Sequence, residues 1–170
     1  FIPDQSWCIR VRGSMDAVGA VLLEYRDDDD SQWRQLAHVP HEDNLSTWVH
    51  GFAGDDTVMW AVDSRGSDTS RLVRIVPQPD GSFLQEDVFS SEESDVGDLL
   101  IDPIHHHPVA VSVQRLRKRW QALDPELEPE LARLRALVAG QLEITSRSRD
   151  NRRWVVCFEV DDGPLQYWLW

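Results

Sequence analysis

The sequence predicts an all-β fold, a partial β-propeller of about three to four blades of antiparallel meander with one short helical insertion near residues 125–139. Three observations carry this expectation. Short runs in which apolar and polar residues alternate follow one another, with turn residues between them. The runs group into units that open near Trp7, Trp48, Gly97 and Leu142, a spacing of roughly 40 to 50 residues, which is the period of propeller blades. Eight tryptophans lie mostly in these runs, and their large flat rings suit the space between stacked sheets. A closed ring has typically 4 to 8 blades, so an open arc is expected; a β-sandwich with irregular loops is the competing architecture.

The first unit, near residues 5–40, begins with a strand over 7–12 that places Trp7, Ile9 and Val11 on one face. Residues 18–26 form a second run, apolar until Glu24, and 32–39 a third containing Trp33 and Leu36. Asp27 to Asp30 joins these two. Four like charges repel and hold the segment in water, which makes a solvated turn; the sharper alternative, a calcium loop, lacks the EF-hand spacing and its glycine. The second unit, near 47–90, reads as four strands over 47–52, 57–62, 71–76 and 82–89, with Val58, Trp60 and Val62 on one side of its second strand. The third, near 96–123, has strands over 97–101 and 108–114 and a further one over 116–123 containing Trp120.

A helix then interrupts the β pattern over 125–139. Leu127, Leu131, Leu134 and Val138 make a single apolar stripe. Asp124 suits the cap, Pro125 a first helical position and Gly140 the stop, while Pro129 argues for a start at Pro129 after a short turn. Early glutamates and later arginines complement the helix dipole. The last unit, 141–170, has strands over 142–146, 153–160 and 165–170, the last two joined through Asp161-Asp162-Gly163-Pro164. Trp60 and Trp154 are expected in the core, each in phase with apolar neighbours: Val58 and Val62 for one, Val156 and Phe158 for the other.

Bulk properties exclude several function classes. Thirty acids against 17 bases give a net charge of −13, which repels phosphate backbones and speaks against nucleic-acid binding. No run approaches the ~18 apolar residues of a membrane span, and no basic segment followed by an apolar core marks a signal peptide; a cytoplasmic location is the expectation. A chain that opens on Phe1 and closes inside a strand is expected to continue beyond both. Cys8 and Cys157 lie in strand-like runs and read as buried free thiols, with a disulfide as the alternative.

Catalytic chemistry finds no purchase. The nucleophile elbow of an α/β-hydrolase, Gly-x-Ser-x-Gly, does not occur, and Gly13-Ser14, Gly66-Ser67 and Gly81-Ser82 lack both the second glycine and a strand-to-helix setting. A P-loop and a dinucleotide fingerprint do not occur either. His105-His106-His107 is the strongest metal-like feature, but successive residues of an extended chain point to opposite faces, so at most His105 and His107 share a ligand sphere. A polar turn is the plainer reading, and His38, His41 and His50 are scattered. Arg115, Arg117, Lys118 and Arg119 form the one basic cluster. It reads as an exposed strand edge with ordinary ion pairs; a meeting with the acidic helix start at Glu126 to Glu130, or with a substrate carboxylate, is the alternative. Catalytic, cofactor-binding and metal sites are all expected to be none.

Val96-Gly97-Asp98-Leu99-Leu100-Ile101-Asp102-Pro103, then Pro108-Val109-Ala110-Val111, then Trp120-Gln121-Ala122-Leu123-Asp124-Pro125 follow in a specific order. With Trp154-Val155-Val156, with Asp161-Asp162-Gly163-Pro164 before Tyr167, and with Val58-Met59-Trp60-Ala61-Val62-Asp63-Ser64-Arg65-Gly66, this order resembles the propeller of bacterial prolyl-oligopeptidase-type serine peptidases, the dipeptidyl aminopeptidase and acylaminoacyl-peptidase-like group. The similarity runs from about Trp33 onward. It implies an accessory domain that covers a separate α/β-hydrolase domain and limits access to peptide-sized substrates. None of that family's catalytic positions exists here. The implied partners are the hydrolase domain, the remaining blades and, transiently, a peptide; a stand-alone binding or scaffold propeller is the alternative. The open ends of an arc are further expected to make the chain self-associate.

Overall fold

A computed structural model describes all residues, 1–170. The all-β expectation is met: fourteen strands form four antiparallel sheets, one α-helix interrupts them, and no barrel closes. Every sheet is a meander of consecutive strands, the pattern of propeller blades. The chain divides into two compact units, Phe1–Asp95 and Val96–Trp170.

In the first unit, β1 (Ile2–Pro3), β2 (Ile9–Met15), β3 (Val21–Tyr25) and β4 (Arg34–Val39) make one sheet, and β5 (Trp48–Phe52), β6 (Met59–Asp63), β7 (Arg71–Pro77) and β8 (Phe83–Phe89) the other. Between β4 and β5 a 3-10 turn spans His41–Asp43. Val11 and Tyr25 of one sheet pack with Val49, Phe52, Met59, Ala61, Val73 and Ile75 of the other in a single apolar cluster. Tyr25 meets Phe83 edge-on, with centroids 5.4 Å apart, and the guanidinium of Arg34 lies over both rings.

Two expectations fail here. Trp7 is not in a strand with Ile9 and Val11: it adopts φ 66° in a turn and is 84% exposed. The cause is Asp4, whose Oδ1 accepts the backbone N–H groups of Ser6 (2.9 Å) and Cys8 (3.0 Å). This local carboxylate turn closes the β1–β2 hairpin, and the alternating pattern of 7–12 takes effect only from Ile9. Trp60 is likewise not in the core cluster. The face of β6 that packs between the sheets carries Met59 and Ala61; Trp60 lies on the opposite face, half-buried, and its Nε1–H has no partner. An inner strand covered on both sides has no polar face, so alternation does not say which side faces the core.

In the second unit, β9 (Val96–Ile101), β10 (Pro108–Gln114) and β11 (Lys118–Ala122) form one sheet, and β12 (Gln141–Arg147), β13 (Trp154–Glu159) and β14 (Gln166–Leu169) another. Between them α1 spans Glu128–Leu137. Leu127, Leu131 and Leu134 are buried with Trp120, Leu142, Trp154, Val156 and Phe158, and Val138 packs against them, so the expected stripe is the one that docks. The helix starts where Pro129 requires, at its first turn. Asp124 does not cap it. Its Oδ1 accepts the Glu126 N–H at 2.9 Å, one turn too early, and Leu127 stands at the cap position with no side-chain bond.

Gly97 shows why the β9 motif needs its glycine. A Cβ there would stand 2.6 Å from Ser112 Oγ. That buried hydroxyl lies across the ladder in β10 and accepts the Asp98 N–H at 2.7 Å.

Candidate functional site

The residues singled out from the sequence do not converge. His105 and His107 do come together, with near-parallel rings 6.2 Å apart, on a turn that His106 closes at φ 54°. Asp102 holds this turn: its Oδ1 accepts from His105 N (2.6 Å) and Ile104 N (3.0 Å). Burial opposes ionisation of Asp102, but these N–H groups and the nearby imidazoles outweigh it and hold the carboxyl below its ordinary value. No set of three His, Cys, Asp or Glu side chains is arranged to hold a metal ion. His38, His41 and His50 are exposed on β4, the 3-10 turn and β5.

The Asp27–Asp30 turn is solvated, with each of its first three acids engaged. Arg34 pairs with Asp27 at 3.0 Å, Arg26 pairs with Asp29, and Asp28 accepts from Ser31 N and Oγ. In the basic cluster Arg117 pairs with Asp161, and Lys118 sits between Asp98 (2.6 Å) and Glu143 (2.7 Å). Burial works against the Lys118 charge, but the two carboxylates raise its pKa overall. The acidic helix start is met instead by arginines of the helix itself, Glu128 by Arg135 and Glu130 by Arg133. Both cysteines are free thiols; Cys157 is buried and Cys8 partly so.

Sequence reasoning missed a buried polar network in the first unit. Asp63, 3% exposed, receives Arg65 Nε (2.8 Å) and Nη2 (2.9 Å) and Gln85 Nε2 (2.8 Å). Burial alone would raise this carboxyl; the bonds from Arg65 and Gln85 lower it on balance. Next to it Ser64 Oγ donates to Asp43 (2.8 Å) and meets Ser46 and Thr47. No histidine joins this group, so the serine has no base to activate it. The network ties the 3-10 turn to the end of β6, and its role is structural.

A concavity with charged and aromatic walls belongs to the second unit. A cleft of about 540 Å3 is lined by Asp102, Glu126 and Glu130, by Arg147 and Arg152, and by Trp154 and Trp170 among others. Arg147 leaves β12 next to a bulge at Ile144/Ser146, lies 5.1 Å over the Trp154 ring, donates to Asn151 at 3.0 Å and reaches the Ile101 carbonyl. Trp170 exchanges both backbone bonds with Trp154 at 2.8 Å, and its indole N–H meets Glu130. Carboxylates, guanidinium groups and indole rings bind and orient. With no serine, cysteine or histidine in the lining, the cleft holds no nucleophile–base pair.

Comparison with known proteins gives the relationship. Dipeptidyl aminopeptidase BIII of Pseudoxanthomonas mexicana is 32% identical over 137 residues, 80% of this chain and 19% of the relative. The chain is homologous to a segment of the prolyl-oligopeptidase-type peptidases. A second relative of this peptidase group, dipeptidyl peptidase family member 6 of Caenorhabditis elegans, is 23% identical over 146 residues, 85% of the chain and 20% of the relative. The chain spans about a fifth of the length of the curated relatives it matches. No family model matches it, and no solved structure does. The segments on which the sequence resemblance was read fall on β6, on β9 to β11 and on β13 and β14.

Proposed function

We propose that the chain is a non-catalytic propeller segment of a longer serine peptidase, and that its sheets gate the access of peptides to a separate α/β-hydrolase domain. One observation carries the reading: an alignment over 80% of the chain to a dipeptidyl aminopeptidase of which it matches only 19%. The sequence contains no nucleophile elbow, so the reaction of such a peptidase would reside in other residues. Within this reading the chain meets the hydrolase domain and further blades, touches peptide substrate transiently, and resides in the cytoplasm.

Reading the coding frame through to its stop tests the first half. A Gly-x-Ser-x-Gly motif downstream of Trp170 agrees with the proposal, whereas a stop shortly after Trp170 points to a stand-alone binding module. The gating half is tested on the full-length enzyme with a series of peptides of increasing length. A sharp length limit that relaxes when this segment is loosened by Trp154→Ala supports a filter, and an unchanged length profile sinks it.

A further inference from the structure

Three turns come together at one end of the first unit. Gln5 ties the Asp4–Cys8 turn to the turn after β5: its N–H donates to Asp56 Oδ1 at 2.9 Å and its Nε2 to the Phe52 carbonyl at 3.1 Å. Two arginines tie it to the Asp27–Asp30 turn. Arg10 Nε donates to the Arg26 carbonyl at 2.8 Å, and Arg26 Nε to the Ile9 carbonyl at 2.7 Å. Rings beside these turns already carry guanidinium groups. Arg10 lies over Tyr25 and Phe52, Arg34 over Tyr25 and Phe83, and Arg12 and Arg26 stand 4.4 and 4.7 Å from the Trp33 centroid. Trp7, on the first turn, has no cation over it and is 84% exposed. Its left-handed φ of 66° is one that residues other than glycine rarely take, and the buried Asp4 carboxylate, itself paired with Arg10, holds it there. Charge at this end is one-sided. Arg10, Arg26 and Arg34 are spent on Asp4, Asp29 and Asp27, which leaves Asp28, Asp30, Asp55 and Asp56 outside any ion pair.

We infer that this end of the first unit docks an arginine-rich segment of another protein, with one guanidinium stacked on Trp7 and its neighbours meeting the unpaired aspartates. Tryptophan is the side chain on which a cation stacks best, and the planar guanidinium suits an indole face better than an ammonium does. A ring presented on a turn this firmly bonded loses little freedom when it is covered, so its contact goes into affinity. Trp33 shows the same pairing made within the chain. The unpaired aspartates select the sign of the partner: they draw a basic segment and turn away anionic lipid, nucleic acid and the like end of a second copy. The inference stands on this geometry and does not depend on the peptidase reading.

Nuclear magnetic resonance of the isotope-labelled chain tests it through the indole N–H signal of Trp7, and calorimetry gives the affinities of the variants. The probe is N-acetyl-Arg-Gly-Arg-Gly-Arg-amide, set against its lysine, citrulline and glutamate counterparts. A saturable shift of the Trp7 signal is expected with the arginine peptide, a smaller one with lysine, and none with citrulline or glutamate. Trp7→Asn removes the ring, keeps the net charge and tolerates the left-handed turn. It should melt like the parent and bind the arginine peptide about tenfold more weakly, and Trp7→Phe should fall between. Asp30→Asn with Asp55→Asn should weaken binding more than Glu126→Gln with Asp162→Asn, which changes the net charge equally but in the second unit. The inference is overturned by a silent Trp7 signal with the arginine peptide, by an equal shift with citrulline, or by Trp7→Asn binding like the parent. Equal weakening by the two neutralised pairs would mark unspecific attraction and overturn it as well. So would a Trp7 signal that shifts when the chain alone is concentrated, which would give the ring to a second copy.

Discussion

At the scale of single residues, Asp63 is a buried charge kept by its partners. Its folded-state carboxyl lies below the ordinary 3.8, so the fold prefers the ionised form. That contribution is fully present above the unfolded value and is lost as pH falls through the lower folded one. Asp63→Asn should therefore cost about 1–3 kcal/mol at neutral pH, and the gap between variant and parent should narrow below about pH 3.8. Denaturant unfolding of both proteins on either side of that pH checks the sign. Gly97 offers a steric counterpart. Gly97→Ala should destabilise by about 1–3 kcal/mol through the clash with Ser112. Adding Ser112→Ala should recover part of that loss, since the two sites share one contact; strictly additive melting shifts would contradict the geometry.

At the scale of elements, α1 and β14 behave in opposite ways. The helix is held by what it buries: Leu131→Ala should cost about 2–5 kcal/mol, while Leu137→Ala, on the exposed side, should stay within about 0.5 kcal/mol of the parent. Equal effects in thermal unfolding would mean that the stripe does not dock as described. β14 is an edge strand with no charged residue, and Tyr167, Trp168 and Leu169 on it are all exposed. The edges β8 and β11, by contrast, carry Glu86 and Asp87, and Lys118 and Arg119. Charged edges resist pairing with other chains, and an uncharged apolar one invites it. The chain is expected to self-associate through β14, and Tyr167→Lys to weaken this. Light scattering over a wide concentration range decides it: a parent that stays monomeric, or a variant that associates equally, removes β14 from consideration.

For the whole molecule, the net charge of −13 opposes association, but beyond ~8 Å it is screened at physiological salt. Self-association should therefore grow as salt is raised from very low values, the reverse of an interface held by ion pairs. The chain on its own should also be silent towards chromogenic peptides and esters and towards a fluorophosphonate probe. Among its buried serines, Ser64 faces a carboxylate and two hydroxyls and no histidine, and Ser112 Oγ accepts a backbone N–H. Stoichiometric labelling of any serine would reverse that assignment.

Period-two runs, the recurrence of turns and the stripe from Leu127 to Val138 were enough to read the four meanders and the helix, because hydrophobic period and turn chemistry are local properties of the chain. The order of motifs around Gly97, Pro108 and Trp120 was enough to read the peptidase relationship. Tertiary structure decided the rest. Trp7 left its strand because the Asp4 carboxylate collects two N–H groups. Trp60 lost its core place because β6 is covered on both faces. The partners of Asp63 come from Arg65 nearby and from Gln85 on β8. A pattern in sequence says which residues avoid water. Only the packing of distant strands says which of them meet, since those contacts are made between segments whose separation along the chain carries no periodic signal.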